Sequence, residues 1–184
     1  MPDKYKNKYR IPSARLQSWD YGSDGAYFIT ICTQDRIHFF GEVENGEMLL
    51  NEAGLLAEQL WLQIAAQFKF IELGNFVVMP NHVHGILIIN KNDVPDTPPT
   101  DERANEPRGG FAGDKNPMLN DNISRVVRWY KGRCCFDIRK TCKDFEWQTR
   151  FHDHIIRDAD SFETIQDYIA NNPQNWKQDK FYNT

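Results

Sequence analysis

Two histidines, His82-Val83-His84, stand at the head of an apolar run, GILIIN. On a strand, residues two apart point to the same side. Both imidazoles can therefore reach one metal ion while Val83 faces the other way, and the apolar run behind them would hold them rigidly. Two imidazoles do not complete a site, so carboxylate, amide or water ligands must join them. On the pair alone, two ordinary polar residues at a strand edge remain the plainer account. A second feature lies near the other end of the chain. Tyr168 and Asn172 are four apart in FETIQDYIANN and share one helical face, so a phenol and an amide project side by side. A tyrosine oxygen can attack phosphorus and hold nucleic acid covalently. Its ordinary pKa is about 10, so it needs a polarised phosphate and a base or water to take its proton. Packing together with helix termination is the competing account of this pair.

The elements that must position these groups follow from hydrophobic pattern. Residues 26–33 (AYFITICT) read as a buried strand. Residues 38–43 and 47–50 form a hairpin closed on Asn45-Gly46. Asn51 can cap a helix through EAGLLAEQLWLQIAAQF, with Leu55, Leu56, Gln59, Leu60, Gln63 and Ile64 on one face. Residues 70–78 and 82–89 are two further strands joined by the turn Met79-Pro80-Asn81. Asn122 or Ser124 caps a helix, ISRVVRWYKGRCCFDIRKTC. Residues 147–156 are extended, and Ser161 caps the last helix, which Pro173 terminates. This order predicts an α+β fold with helices packed on one face of an antiparallel sheet, in a ferredoxin-like split βαβ arrangement.

The chain has 184 residues, 40% of them apolar, with five Trp, seven Tyr and twelve Phe. That is enough for one domain with a core of ordinary size. Two stretches stand apart: a basic N-terminal arm over about residues 1–20, and a Pro-rich, charged segment over about residues 91–120 whose composition predicts a flexible loop. Cys32, Cys134, Cys135 and Cys142 form no CxxC pair, which suits a reduced, cytoplasmic protein. The N-terminus lacks the apolar stretch of a secretion signal, and no apolar run is long enough to span a bilayer.

Net charge is −4, which argues mildly against nucleic acid as a partner, but its distribution matters more. Lys4, Lys6, Lys8, Arg10 and Arg15 make the arm basic. Arg125, Arg128, Lys131 and Arg133 cluster on the ISRVVRWYKGR helix, where phosphate contact and a solvated face are equally good readings. Trp19 is a candidate for stacking on bases. Tyr130 lies in an apolar stripe with Val126, Val127 and Trp129 and is expected in the core, as is Tyr27, while Tyr182 falls near an end expected to fray. A second HxH, His152-Asp153-His154, is either another metal site or, more in keeping with its neighbours, a structural or DNA-contacting segment.

The segments YFITICTQDRIHFFGE, FVVMPNHVHGILI, ISRVVRWYKGR, WQTRFHDHIIRD and YIANNP together resemble the REP-associated tyrosine transposases, relatives of the insertion-sequence-200-like transposases, in the family's order from Tyr27 to Pro173. The resemblance implies a ferredoxin-like fold and a homodimer. It implies a metal-binding pair at His82 and His84, a nucleophile at Tyr168, and a polar metal ligand at Asn172, where the insertion-sequence relatives carry Gln. The Asn-Pro ending is similar to the REP-associated branch. Lys131-Gly132 and the run from His154 to Arg157 also fall within the resemblance, so His154 and Arg157 join the DNA-contact candidates. The implied activity is breakage and rejoining of hairpin-bearing single-stranded DNA through a 5′-phosphotyrosine, with Mg²⁺ or Mn²⁺, in the bacterial cytoplasm and at the nucleoid when bound to DNA. Two alternatives stay open: a metal-dependent nuclease that uses water, and a hairpin-binding protein that has lost catalysis. No GxxxxGK[ST] motif is present.

Overall fold

The structure is a computed structural model that describes residues 20–91 and 121–182. The basic arm up to residue 19, with Trp19, and the Pro-rich segment 92–120 lie outside the described residues.

The central sheet holds four strands in the order β4-β5-β1-β6: β1 (Gly25–Cys32), β4 (Ile71–Met79), β5 (His82–Ile89) and β6 (His152–Ile156). Every neighbouring pair is antiparallel. With α1 (Glu52–Leu62) between β1 and β4, and α3 (Ile123–Ile138) between β5 and β6, this is the expected α+β, ferredoxin-like order. A separate ribbon of β2 (Gly41–Glu44) and β3 (Glu47–Leu50) turns at Asn45-Gly46, both with positive φ (52° and 82°), as a two-residue hairpin of matching twist demands.

Side chains alternate across β1 and β5. Tyr27, Ile29, Ile31, Val83, Leu87 and Ile89 enter the main core with α1 and α3. Each fully buried Ile or Leu there contributes about 1.5–3 kcal/mol relative to an exposed one. The expected helix layer on one face is thus made by α1 and α3. A further helix, α4 (Ala159–Ala170), takes the opposite face, where Ile169 packs with Ile86 and Ile156. The face it covers is the one to which His82 and His84 point, so α4 can deliver a side chain to the histidines.

Several boundaries differ from the sequence expectation. The first long helix breaks at Gln63 into α1 and a short α2 (Ile64–Gln67). Its buried face is Ala53, Ala57, Leu60, Trp61 and Ile64, and Leu55 is exposed. Trp61 selects this face because it lies against Gly85, where an added Cβ would come within 2.3 Å of the indole. α4 starts at Ala159, capped by Asp158 and not by Ser161. The Asp158 carboxylate accepts from both the backbone N–H (2.8 Å) and the hydroxyl (2.9 Å) of Ser161, so the serine serves the cap from inside the first turn. β6 is shorter than expected, with Trp147 joining Thr33 in an isolated bridge. Among the described residues, no helix is long and apolar enough to cross a membrane.

Candidate active site

β5 is an interior strand, and its first residues carry the histidine pair. His82 lies opposite Cys32 and Met79, and His84 opposite Thr30 and Val77. Val83 enters the core on the other face, as strand alternation requires. Both imidazoles are buried, with ring centroids 4.3 Å apart.

The turn before β5 fixes His82. Asn81 is buried and its amide nitrogen donates to the carbonyls of Arg36 (3.2 Å) and Phe181 (2.8 Å). Its amide oxygen must therefore accept the 2.8 Å hydrogen bond from His82 Nδ1. That assigns the proton of a neutral His82 to Nδ1 and leaves a lone pair on Nε2. Nε2 is buried and has no hydrogen-bond partner. Burial, aided by Arg36 and Lys180, pushes the His82 pKa down to about 3, so the ring is neutral at physiological pH. Burial and the neighbouring His82 also hold His84 well below its ordinary value.

His84 has partners on both nitrogens. Nδ1 lies 2.8 Å from Thr30 Oγ1 and Nε2 lies 3.2 Å from the Tyr168 hydroxyl. Tyr168 reaches it from α4 and packs edge-on against Phe28. Tyr168 is 38% exposed, although its oxygen faces the histidines. The hydroxyl donates to Asp179 Oδ2 at 3.0 Å. Burial and the Asp179 carboxylate raise the phenol pKa further above its ordinary value, so deprotonation requires a compensating positive charge. Asn172 is buried just past the end of α4. Its amide nitrogen donates to the same Asp179 oxygen at 3.0 Å, and its amide oxygen has no partner.

Asp179 is the residue that sequence reasoning missed. It follows a short 3-10 turn, Trp176–Gln178, in a segment expected to fray. Instead, Trp176 and Phe181 are buried with Cys32 and Met79, and Tyr182 packs against this cluster. The segment is held by the Asn81 bond to Phe181 and by Arg36, whose guanidinium donates to the Lys180 carbonyl (2.9 Å). Its aromatic content, WKQDKFY, was the available sign of packing. His82, His84 and Asp179 each offer a ligand atom, and these atoms lie within 4.8 Å of one another. Buried neutral imidazoles, a carboxylate and two unpartnered lone-pair atoms, His82 Nε2 and Asn172 Oδ1, suit a divalent cation.

The other candidate residues fall into two groups. His154 and Arg157 are exposed. His154 lies opposite Phe28 and His152 opposite Thr30, so both project on the same sheet face as the histidine pair. No metal-ligating cluster forms around His152-Asp153-His154 among the described residues. Arg125, Arg128 and Arg133 lie on the outer side of α3, across the sheet from Tyr168. They line a cavity of about 440 Å³ with Gln67, Phe68, Trp129 and Gly132. Arg125 pairs with Asp121 and Arg133 with Asp137. Lys131 turns away from that cavity: its Nζ donates to the Gln148 carbonyl at 2.5 Å, and burial lowers its pKa. Tyr130 is buried and donates to the Ala57 carbonyl, a core residue as expected, and Tyr27 is buried too.

No family model matches the chain. It is 37% identical over 173 residues to an uncharacterized protein of Haemophilus influenzae, with 92% of each chain covered. Among solved structures it is similar to a REP-associated tyrosine transposase bound to a REP hairpin, with a TM-score of 0.56 and 20% identity, covering 92% of this chain and 77% of that one. The chain therefore belongs to one family with the Haemophilus influenzae protein, and its fold is that of the REP-associated tyrosine transposase.

Proposed function

We propose that this chain is a metal-dependent transposase that cleaves and rejoins single-stranded DNA at hairpin sequences, with Tyr168 as nucleophile and His82, His84 and Asn172 in the metal site. The observation that carries the reading is the approach of the Tyr168 hydroxyl to within 3.2 Å of His84 Nε2, beside an unpartnered His82 Nε2. A phenol whose pKa is raised is a poor nucleophile by itself, and a cation held beside it would supply the charge it lacks.

A divalent ion, Mg²⁺ or Mn²⁺, supplies positive charge at the scissile phosphate when bound. The remaining roles belong to the chain. Tyr168 presents its oxygen to phosphorus. The bond from phosphorus to the tyrosine oxygen forms as the bond to the 3′-oxygen breaks, and the leaving 3′-oxygen takes a proton from solvent and departs as a 3′-hydroxyl. The phenol hydrogen is directed at Asp179 Oδ2, the first acceptor on its way to solvent. Neutral His82 keeps its Nε2 lone pair for coordination, and burial keeps His84 neutral as well. The 5′-phosphotyrosine conserves the phosphodiester bond energy, so a second 3′-hydroxyl reverses the step and joins a new strand without a nucleotide triphosphate.

His154 and Arg157 would meet the strand beside the cutting site. Arg125, Arg128 and Arg133 would meet phosphates on the far face, and Lys131 would add positive charge between α3 and Gln148. The solved structure with this fold holds a REP hairpin, which makes hairpin DNA the substrate class to test. The groups of the candidate site come from one chain, so a homodimer would carry two complete sites.

The test is incubation of hairpin-bearing single-stranded DNA with Mg²⁺ or Mn²⁺, followed by denaturing electrophoresis. The expected result is a slow-migrating protein–DNA adduct that Tyr168→Phe abolishes together with cleavage. Cleavage that survives Tyr168→Phe would mean that water is the nucleophile.

A further inference from the structure

Hard divalent cations prefer anionic oxygen ligands, and most of their protein sites include at least one carboxylate. Two imidazoles and one amide, the set drawn from the sequence, bring no negative charge. The fold brings one. Asp179 reaches the histidines from the C-terminal segment, and its carboxylate is pinned by three donors: Tyr168 Oη and Asn172 Nδ2 on Oδ2, and the Phe181 backbone N–H on Oδ1 at 2.7 Å. An ionised carboxylate has about four lone-pair positions, so one stays open. Around it stand His82 Nε2 and Asn172 Oδ1, both buried and unpartnered, and the ligand atoms of His82, His84 and Asp179 lie within 4.8 Å of one another. Acceptors gathered this closely, two of them buried and unpartnered, suit a cation.

We propose that Asp179 is the charged protein ligand of the metal site, completing a set with His82 and His84. Asn172 fixes the Asp179 carboxylate through its amide nitrogen and offers its amide oxygen to the same ion. The assignment rests on the metal-dependent reading above and adds a ligand from outside the helix that carries the nucleophile. It also gives the C-terminal segment a role: the bonds from Asn81 and Arg36 that fasten residues 180–181 hold a ligand at its post.

The test is Mn²⁺ titration of the metal-free full chain by calorimetry, with free Mn²⁺ followed by electron paramagnetic resonance. Asp179→Asn keeps the shape and removes the charge, and it should weaken Mn²⁺ binding at least tenfold, the lower end of what even outer-shell partners of metal ligands cost. His82→Ala should abolish binding. Wild-type affinity in Asp179→Asn with loss in His82→Ala would overturn the role of Asp179 and leave the metal reading intact. Wild-type affinity in both would overturn the metal reading itself. Anomalous scattering from wild-type crystals soaked in Mn²⁺ decides the matter even if Asp179→Asn does not fold. An Asp179 oxygen at about 2.0–2.6 Å from the ion is expected, and an ion on the histidines with Asp179 beyond hydrogen-bond distance would contradict it.

Discussion

At the scale of single residues, the site runs on buried neutral groups. His82 has a folded pKa of about 3 against an ordinary 6.5, and His84 is lowered in the same direction. Between those values the unfolded chain binds protons that the folded chain refuses, so stability rises with pH across that window. The contribution is fully present above about pH 6.5. It is lost as pH falls toward 3, at roughly 1.4 kcal/mol per pH unit for each imidazole that stays neutral. Urea unfolding of the metal-free protein should show a falling midpoint from pH 7 to pH 5, and His82→Gln should flatten the fall; a midpoint independent of pH would mean that the imidazoles are not buried in solution. That His82 and His84 share one face, and that Tyr168 and Asn172 share another, was legible in the sequence because strand alternation and helical spacing are local. Asp179 was not legible. What brings it to the histidines is a tail that folds back through Asn81 and Arg36, contacts 100 and 144 residues apart, and no periodicity announces such a return.

At the scale of elements, the position of β5 depends on how closely α1 approaches it. Trp61 lies over Gly85, where a Cβ would meet the indole at 2.3 Å and Phe76 at 3.0 Å. Gly85→Ala should therefore destabilise the fold by about 1–3 kcal/mol, as overpacking does, and lower thermal stability. An unchanged Tm would show that the helix can retreat at no cost. The turn is the second support. Asn81→Ala leaves two carbonyls and His82 Nδ1 without a partner in buried surroundings, so it should weaken Mn²⁺ affinity by about 10–100-fold while the sheet persists by circular dichroism. Unchanged affinity would mean that the His82 tautomer is set by something else. Strands and helices were read in the right order because their apolar periods are strong. Their ends shifted where a side chain chose otherwise: Trp61 turned the buried face of α1 away from Leu55, and Asp158 displaced Ser161 as the cap of α4.

At the scale of the whole molecule, the sheet separates two chemistries. One face holds Tyr168, the histidines and Asp179, with His152 and His154 along the same side. The other carries the α3 arginines around Trp129. The sequence pointed to an α+β sheet with a helix layer. It did not show that α4 crosses to the opposite face, because an amphipathic helix does not say which side of a sheet it covers. Since histidines and tyrosine meet within one chain, mixing Tyr168→Phe with His82→Ala should not restore DNA cleavage. Recovery of activity in the mixture would show that a site is shared between subunits.

The central claim is that Tyr168 bonds covalently to DNA. The most direct measurement is mass spectrometry of the protein after reaction with hairpin-bearing single-stranded DNA and Mn²⁺, nuclease trimming and proteolysis. A nucleotide 5′-phosphate attached to the peptide at Tyr168 is the expected product. Cleaved DNA without any protein-bound nucleotide, or a nucleotide on another tyrosine, would contradict it.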